Sequence, residues 1–266
     1  MKALITGASS GIGLAFARKL ASINYELVIL ARSQETLETL AEELTVQCGV
    51  QTQVIVQDLT VPNVGAAIAE AVNGGPESID LLVNNAGFGD YGEFSDRPMD
   101  KTQDMIQLNI MALTDLIGSF LPAMQKRGTG SIINVASIVG FLPIPYMAVY
   151  AATKSYVLSF SESLWLENKD TGVCVLALCP GPTESNFFKV AEFPGMAGEG
   201  VKGPGMINAE RVVEEALNGL TKQQPNIVTG GLLSHVIANI ARFLPRAWVV
   251  SIVGKQFSPA TIAKKR

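Results

Sequence analysis

Short apolar runs alternate with longer segments of helical periodicity along almost the whole chain. Seven runs have the length and composition of buried strands: residues 3–6, 27–31, 54–57, 81–84, 132–136, 173–179 and 227–229. Six segments between or after them predict helices: residues 11–23, 34–47, 63–73, 100–126, 149–171 and 208–222. Pro122 is expected to end or kink the fourth helix. Because strands that alternate with helices form parallel sheets, we predict an α/β fold: a doubly wound, mostly parallel seven-stranded sheet with helices on both faces, in three α/β/α layers.

Two stretches interrupt this alternation. Residues 182–206 contain five glycines together with phenylalanines and methionines, so we predict a mobile substrate flap with an apolar underside. Residues 232–266 form an amphipathic extension, in which two arginines and a proline interrupt the apolar part too soon for a membrane span. The extension is expected to cap the substrate pocket, to pack against another subunit or to touch a membrane surface. No linker or repeat divides the chain, which predicts a single domain.

Composition narrows the class of partner. The chain of 266 residues has 20 basic and 24 acidic residues, a formal charge of -4, and no basic cluster typical of nucleic-acid binding. We therefore expect a small-molecule partner and no nucleic acid. Apolar residues make up 48% of the chain and charged residues 17%. That balance fits a sheet buried on both faces and favours a homo-oligomer with apolar contact surfaces.

The cysteines and the single histidine favour neither metal binding nor hydrolysis. Cys48, Cys174 and Cys179 form no CxxC pair and have no neighbouring histidines, so neither a disulfide framework nor a metal site is expected. His235 is accompanied by no GxSxG elbow, and we expect a structural or incidental role for it. Met1 lies almost on the first strand, which predicts a cytoplasmic protein without a cleavable leader.

A glycine-rich turn with the sequence TGASSGIG, residues 6–13, joins the first strand to the first helix. Gly7 permits a tight turn, Gly11 permits close approach of a pyrophosphate, and Gly13 lets the helix pack closely on the sheet. The helix N-terminus adds free N–H donors and the positive end of its dipole. The turn therefore predicts a dinucleotide site of the Rossmann type, with a purely structural turn as the alternative.

Tyr150 and Lys154 lie four residues apart near the start of the fifth predicted helix, so their side chains share one face. An ammonium group beside a phenol favours the phenolate and lowers the pKa of the tyrosine, which predicts proton exchange near neutral pH. Ser137 follows the fifth strand and can hydrogen-bond the same substrate carbonyl. The alternative is a tyrosine–lysine pair on an ordinary helix surface. Ser137 and the glycine turn together favour catalysis.

With these residues in place, the chain resembles a short-chain dehydrogenase/reductase from residue 3 to about residue 229. The matching motifs are the TGxxxGxG turn at residues 6–13, the NNAG segment at residues 84–87, Asn109, Ser137, the YxxxK pair of Tyr150 and Lys154, and the turn at Pro180 and Gly181. The resemblance implies that Tyr150 is the general acid in reduction. It also implies that Lys154 lowers the pKa of Tyr150 and holds the nicotinamide ribose, and that Ser137 orients the substrate carbonyl. Asn109 is then expected to support a water that links Lys154 to solvent.

The resemblance also implies a set of residues around a bound dinucleotide. Thr183 matches the position that contacts the nicotinamide carboxamide, and Asp58 with Leu59 matches the pair beside the adenine. The complete cofactor-binding set predicted from the turn, the resemblance and the second strand is Gly7, Ser9, Ser10, Gly11, Ile12, Gly13, Arg32, Ser33, Asp58, Leu59, Asn85, Ala86, Gly87, Tyr150, Lys154, Pro180, Gly181 and Thr183.

The end of the second strand predicts which dinucleotide binds. NAD enzymes place an acidic residue there to accept hydrogen bonds from the ribose hydroxyls. Here residues 31–33 read Ala-Arg-Ser, so no carboxylate repels a 2′-phosphate and Arg32 offers a planar fork suited to one. We therefore predict NADP(H) rather than NAD(H), with a merely solvated Arg32 as the alternative.

These features predict an NADP-dependent oxidoreductase that transfers a hydride between NADPH and an apolar ketone or aldehyde, or acts on the corresponding alcohol. A 3-oxoacyl thioester reductase is the nearest alternative. It would need basic surface to receive a phosphopantetheine carrier, and the flap supplies only Lys189 and Lys202. A non-catalytic NADP-binding regulator is a further alternative. The resemblance implies pairing of subunits through helices 100–126 and 149–171, hence a homodimer or homotetramer.

Overall fold

A single parallel sheet forms the centre of the computed structural model, which describes residues 1–194, 206–240 and 243–264. Its strands are β1 (Lys2–Thr6), β2 (Glu26–Ala31), β3 (Thr52–Val56), β4 (Leu81–Asn84), β5 (Gly130–Val135), β6 (Val173–Pro180) and β7 (Asn226–Thr229). They lie in the order β3-β2-β1-β4-β5-β6-β7, and every neighbouring pair is parallel. The predicted fold class is confirmed.

Helices cover both faces of this sheet. They are α1 (Gly11–Ser22), α2 (Gln34–Cys48), α3 (Val64–Ala71), α4 (Met99–Ile106), α5 (Leu113–Arg127), α6 (Ala148–Glu167), α7 (Phe187–Val190), α8 (Ala209–Thr221), α9 (Gly231–Ile240), α10 (Arg246–Phe257) and α11 (Pro259–Lys264). One apolar core lies between the sheet and α1, α2 and α8, and a second lies between the sheet and α3, α5 and α6. Burying both faces explains why the strands are apolar runs without alternation.

The π-helical irregularity in the predicted fourth helix lies before Pro122 and not at it. α4 and α5 are joined by a π-helical segment, Gln107–Ala112, and α5 continues past Pro122 to Arg127. The expectation that Pro122 ends the helix is therefore wrong, and the alternative that it kinks the helix stays a prediction. Pro122 deprives the carbonyl of Gly118 of its helical donor, but Gly118 is exposed, so water can hydrate that carbonyl.

The stretch Met99–Arg127 is long and apolar enough to cross a membrane by length and composition. In this fold, however, part of its apolar face packs in the protein core: Leu116, Phe120 and Met124 are buried in the core that α5 shares with α3. This burial is that of a core helix.

The predicted fifth helix ends earlier than its periodicity indicates, at Glu167 rather than at residue 171. The buried side chain of Asn168 donates to the carbonyl oxygen of Leu164 at 2.8 Å and accepts from Gln125 Nε2 at 2.7 Å. This side-chain hydrogen bond to a backbone carbonyl competes with continuation of the helix.

The strand order reverses between β1 and β4, and the loops that follow these two strands lie side by side. Thr6 Oγ1 accepts hydrogen bonds from the backbone N–H groups of Asn85 and Ala86, at 2.9 and 3.0 Å. Asn85 Nδ2 donates to the carbonyl oxygens of Thr6 and Gly7, at 2.9 and 3.2 Å. Such a switch point is where open parallel sheets bind their ligands.

The flap and the C-terminal extension follow β6 and β7, the last two strands of the sheet. Of the predicted flap, residues 182–194 and 206 are described, whereas its glycines and Met196 lie outside the described residues. The extension holds α9, α10 and α11, and Val249 and Phe257 of α10 pack into an apolar cluster that includes Tyr150. Part of the extension therefore lies in the same apolar cluster as the predicted catalytic tyrosine.

Candidate active site

The glycine turn adopts the geometry that an anion-binding loop needs. Gly7 has a φ of 65° and Gly11 a φ of 55°, a region that side chains rarely adopt. A Cβ atom at Gly13 would overlap the carbonyl oxygen of Gly7. Ser10 makes no side-chain cap bond to α1, and the first turn of α1 has no acidic residue. The N–H groups at the start of α1 therefore fit a pyrophosphate.

The loop after β4 connects this turn to the predicted catalytic residues. A Cβ atom built on Gly87 would lie 2.9 Å from Asn109 Oδ1 and 3.5 Å from Lys154 Nζ. Asn109 itself is buried in the π-helical segment and donates to Phe88 O at 3.0 Å and to Thr153 Oγ1 at 3.1 Å. The structure therefore brings Asn109 close to Lys154, and its role in holding a water stays a prediction.

The end of β2 carries the predicted selector of the cofactor. Arg32 is exposed, and residues 31–33 contain no carboxylate. Asp58 at the end of β3 accepts from Thr60 N and Thr60 Oγ1, both at 2.9 Å. The backbone hydrogen bond from Thr60 lowers the pKa of Asp58, and the charge of Arg32 contributes a smaller lowering. Asp58 is thus engaged by its own loop.

Smaller contacts position the rest of the predicted cofactor set. Ser33 Oγ lies 2.8 Å from Thr36 Oγ1 at the start of α2, and Leu59 is buried. At the end of β6, the N–H of Gly181 donates to Thr229 O at 3.0 Å, and Thr183 Oγ1 donates to Gly181 O at 2.9 Å. Of the remaining members, Ser9 lies in the loop after β1, Ile12 lies in the first turn of α1, and Pro180 is the last residue of β6.

Ser137, Tyr150 and Lys154 come together as predicted, and all three side chains are buried. Ser137 follows β5 and hydrogen-bonds the side chain of Tyr150, which lies in the first turn of α6. Lys154 lies one turn further on, with its Nζ atom 5.8 Å from the centroid of the Tyr150 ring. This arrangement provides two hydroxyl groups for one substrate oxygen.

The expectation that Lys154 lowers the pKa of Tyr150 is wrong for this geometry. Burial raises the pKa of Tyr150 well above its usual value, and the hydrogen bond with Ser137 offsets only part of that rise. Burial also lowers the pKa of Lys154 to about 8. Lys154 Nζ donates to the carbonyl oxygen of Val135 at 2.7 Å and lies beside the ring, not at the hydroxyl.

Aromatic side chains cover the substrate side of Tyr150. The Phe187 ring packs on the Tyr150 ring with centroids 5.0 Å apart. We use the name aromatic cluster for five contacting residues: Tyr91, Phe187, Phe188, Phe193 and Phe257. Tyr91 OH also donates to Phe257 O at 2.7 Å. Sequence reasoning missed Tyr91 and gave Phe257 no site role, because these residues lie 166 positions apart and no local pattern connects them.

An ion network that the sequence did not predict ties the flap to the body of the protein. Arg97 forms hydrogen bonds with both carboxylate oxygens of Asp90, at 2.5 and 2.6 Å, and Lys101 Nζ lies 2.7 Å from Asp90. Both cations also contact Glu192, at 2.9 and 2.6 Å. Arg97, Asp90 and Tyr150 line one cavity of about 100 Å³. The network therefore borders the substrate side of the site.

His235 lies away from this chemistry, as expected. It is exposed on α9, and its Nδ1 atom lies 3.0 Å from Gly231 O. Cys179 is buried at the end of β6, where burial raises its pKa above the usual value.

The fold and the site together define a Rossmann-type oxidoreductase. The sequence model of the short chain dehydrogenase family matches residues 1–192, and the chain belongs to that family. It is an enzyme that acts on C=O or CH–OH groups.

Several known proteins are similar to it. The very-long-chain 3-oxoacyl-CoA reductase of Anas platyrhynchos is 37% identical over 196 residues, which cover 71% of this chain and 62% of that protein. A short-chain dehydrogenase from Sphingobium yanoikuyae in complex with NADPH is 32% identical, with a TM-score of 0.79, over 91% of this chain and 93% of that one. The bulky-bulky ketone specific alcohol dehydrogenase from Comamonas testosteroni is 30% identical, with a TM-score of 0.76, over 92% and 95%.

Proposed function

We propose that this enzyme reduces apolar ketones or aldehydes with NADPH, or oxidises the corresponding alcohols with NADP. The observation that carries the proposal is the pairing of the Tyr150 and Ser137 side chains beneath Phe187, at the edge of the aromatic cluster. A carbonyl oxygen bound there would meet two hydroxyl donors, while the rest of the substrate would lie against aromatic rings.

A bound nicotinamide would supply the hydride that the carbonyl carbon receives. Tyr150 donates the proton to the carbonyl oxygen, and Ser137 hydrogen-bonds that oxygen as negative charge develops on it. The pKa of Tyr150, raised by burial, keeps its hydroxyl protonated at neutral pH, which suits a proton donor. Lys154, with a pKa of about 8, is mostly charged at pH 7 and would hold the ribose hydroxyls.

The preference for NADP(H) rests on Arg32. The guanidinium is exposed at the end of β2, and residues 31–33 offer no carboxylate to a ribose 2′-hydroxyl. The complex of the Sphingobium yanoikuyae relative with NADPH supports the same choice.

The test compares kcat/KM for NADPH and NADH in the native enzyme, in Arg32→Asp and in Lys222→Asp. Lys222 is an exposed cation at the end of α8, which makes it a control for the change in charge. We expect the native enzyme and Lys222→Asp to prefer NADPH and Arg32→Asp to lose that preference. A native preference for NADH contradicts the proposal.

A 3-oxoacyl thioester is the second candidate substrate, and it is favoured by the name of the Anas platyrhynchos relative. Both candidates would use the same hydroxyl pair, so only the rest of the substrate distinguishes them. A panel of aromatic, steroid and aliphatic ketones, quinones and 3-oxoacyl-CoA esters, each assayed with NADPH, separates them. Higher kcat/KM for the thioesters than for ketones of equal chain length supports the second candidate and overturns the first.

A further inference from the structure

In the C-terminal extension, the solvent-facing side of helix α9 carries large apolar side chains. On α9, Ser234 and Ala238 face the body of the protein and are buried, at 4% and 1% exposure. The opposite face carries large apolar side chains with exposures from 46% to 82%: Leu232, Leu233, Val236 and Ile240. These four fall within about 100° of helical rotation, because a helix turns about 100° per residue. The more apolar face of α9 is therefore the exposed one.

The exposed apolar surface continues along the chain into α10. Phe243 is 84% exposed, Trp248 is 64% exposed and Ile252 is 52% exposed. Val249 and Val253, on the neighbouring face of α10, pack into the apolar cluster that includes Tyr150 and hold this helix on the body of the protein. The exposed residues of α10 are therefore free of the packing that orders the helix. We use the name tail surface for the exposed apolar side chains of α9 and α10 with Phe243.

The C-terminal part of the chain, residues 216–266, is positively charged, whereas the rest of the chain is negatively charged. All 24 acidic residues precede residue 216, although the chain as a whole is acidic. Residues 216–266 contain no acidic residue and seven basic ones: Lys222, Arg242, Arg246, Lys255, Lys264, Lys265 and Arg266. Lys255 lies exposed on the face of α10 that carries Trp248 and Ile252, and Arg246 lies exposed at the start of the same helix.

We propose that the tail surface docks on an anionic lipid bilayer and lies in its interface without crossing it. Exposed aliphatic and aromatic side chains bury themselves at the boundary between headgroups and acyl chains, tryptophan is favoured at that depth, and neighbouring lysine and arginine bind anionic headgroups. A two-fold dimer formed through two tail surfaces would oppose basic residues to basic residues. A nucleic acid would leave the apolar side chains without a partner.

The inference does not depend on the proposed activity, so its test needs no turnover. The full-length protein is sedimented with vesicles of phosphatidylcholine and phosphatidylglycerol in equal parts, and with vesicles of phosphatidylcholine alone. The variants are Leu232→Gln with Leu233→Gln, and Arg246→Gln with Lys255→Gln. Val46→Gln is the matched control, because Val46 is 85% exposed on α2, in the acidic part of the chain.

We expect the native protein and Val46→Gln to sediment with the anionic vesicles, and about tenfold less with phosphatidylcholine alone. Each double variant should bind the anionic vesicles about tenfold more weakly. Circular dichroism establishes that each variant is folded. No binding by the native protein, or binding of either double variant as tight as that of the native protein, overturns the proposal. A native dimer that the leucine variant dissociates in the absence of vesicles assigns the surface to a second copy instead.

Tryptophan fluorescence of Trp248 provides an independent measurement that leaves the tail surface unsubstituted. The chain has two tryptophans, so Trp165→Phe leaves Trp248 as the only one. Its emission should shift to shorter wavelength when anionic vesicles are added. Unchanged emission at vesicle concentrations that sediment the protein shows that another surface binds, and overturns the proposal.

Discussion

The cofactor side of the cleft is held by hydrogen bonds to the backbone of two neighbouring loops, whereas the substrate side is held by packing between aromatic side chains. On the cofactor side, the loops after β1 and β4 are joined through Thr6 and Asn85 by hydrogen bonds of 2.9 to 3.2 Å that involve backbone groups. On the substrate side, Phe187 packs on Tyr150, and Phe193 packs on Phe257. The first arrangement requires a particular backbone geometry, and the second requires only rings of suitable size.

This difference predicts how the two sides respond to substitution. Changes on the cofactor side should damage the fold and dinucleotide binding together. Changes on the substrate side should alter the use of a ketone while NADPH binding is preserved.

Gly13→Ala is expected to have the largest effect, because the new methyl group would overlap the Gly7 carbonyl and Asn85 Nδ2. Overpacking of this kind lowers the free energy of unfolding by about 3 kcal/mol. It should also weaken NADPH binding, as measured by fluorescence titration. Gly118→Ala is the control, since Gly118 lies in α5 and a Cβ there meets nothing within 4 Å. That variant should be stabilised by about 0.5–1 kcal/mol, since alanine favours a helix over glycine. Equal stability of the two variants would contradict the account of the turn.

The pH dependence of kcat/KM for NADPH should report Lys154. Because burial lowers the pKa of Lys154 to about 8, its ammonium is charged below that pH and neutral above it. Reduction should therefore fall as pH rises through about 8, by up to about tenfold per pH unit. The pKa of Tyr150 is raised, so Tyr150 stays protonated across this range. In Lys154→Arg the charge persists, and the decline should vanish from any activity that remains. A flat profile in the native enzyme would count against this role of Lys154.

Phe187→Ala tests the substrate side. Loss of the ring that packs on Tyr150 should raise the KM for an aromatic ketone by about tenfold, since such pairs contribute about 0.5–1.5 kcal/mol beyond their buried area. The dissociation constant for NADPH should not change. Phe243→Ala removes an exposed ring and should leave both constants as they are. If Phe187→Ala weakened NADPH binding as much as ketone binding, the substrate side and the cofactor side would not respond independently to substitution.

Glu192→Gln should have the smallest effect. It removes one carboxylate from the network with Arg97 and Lys101, which is partly exposed, so the free energy of unfolding should fall by less than about 1 kcal/mol. Urea unfolding measures this change. Glu43→Gln breaks a comparable ion pair with Arg18, remote from the flap. Only Glu192→Gln should raise the KM for the ketone, and an equal rise in both variants would refute a specific role of the network.

The same contrast explains how much the sequence predicts. The seven strands, the glycine turn and the pairing of Tyr150 with Lys154 follow from local spacing, and the structure reproduces them. The hydrogen bond between Tyr91 and Phe257 joins positions 166 residues apart, and no local pattern encodes it.

Other features depend on burial, which local spacing does not give. The direction of the Tyr150 pKa shift was predicted wrongly because burial of its hydroxyl outweighs its neighbours. The continuation of α5 past Pro122 likewise depends on the exposure of Gly118, four residues earlier.

The central claim is that Tyr150 delivers the proton in an NADPH-dependent reduction. Its most direct test measures single-turnover NADPH oxidation with an apolar ketone in the native enzyme and in Tyr150→Phe, alongside NADPH affinity. We expect the rate to fall by about a hundredfold to ten-thousandfold in Tyr150→Phe, the contribution of a general acid, while NADPH affinity is unchanged. Ketone reduction by Tyr150→Phe at the native rate would contradict the claim.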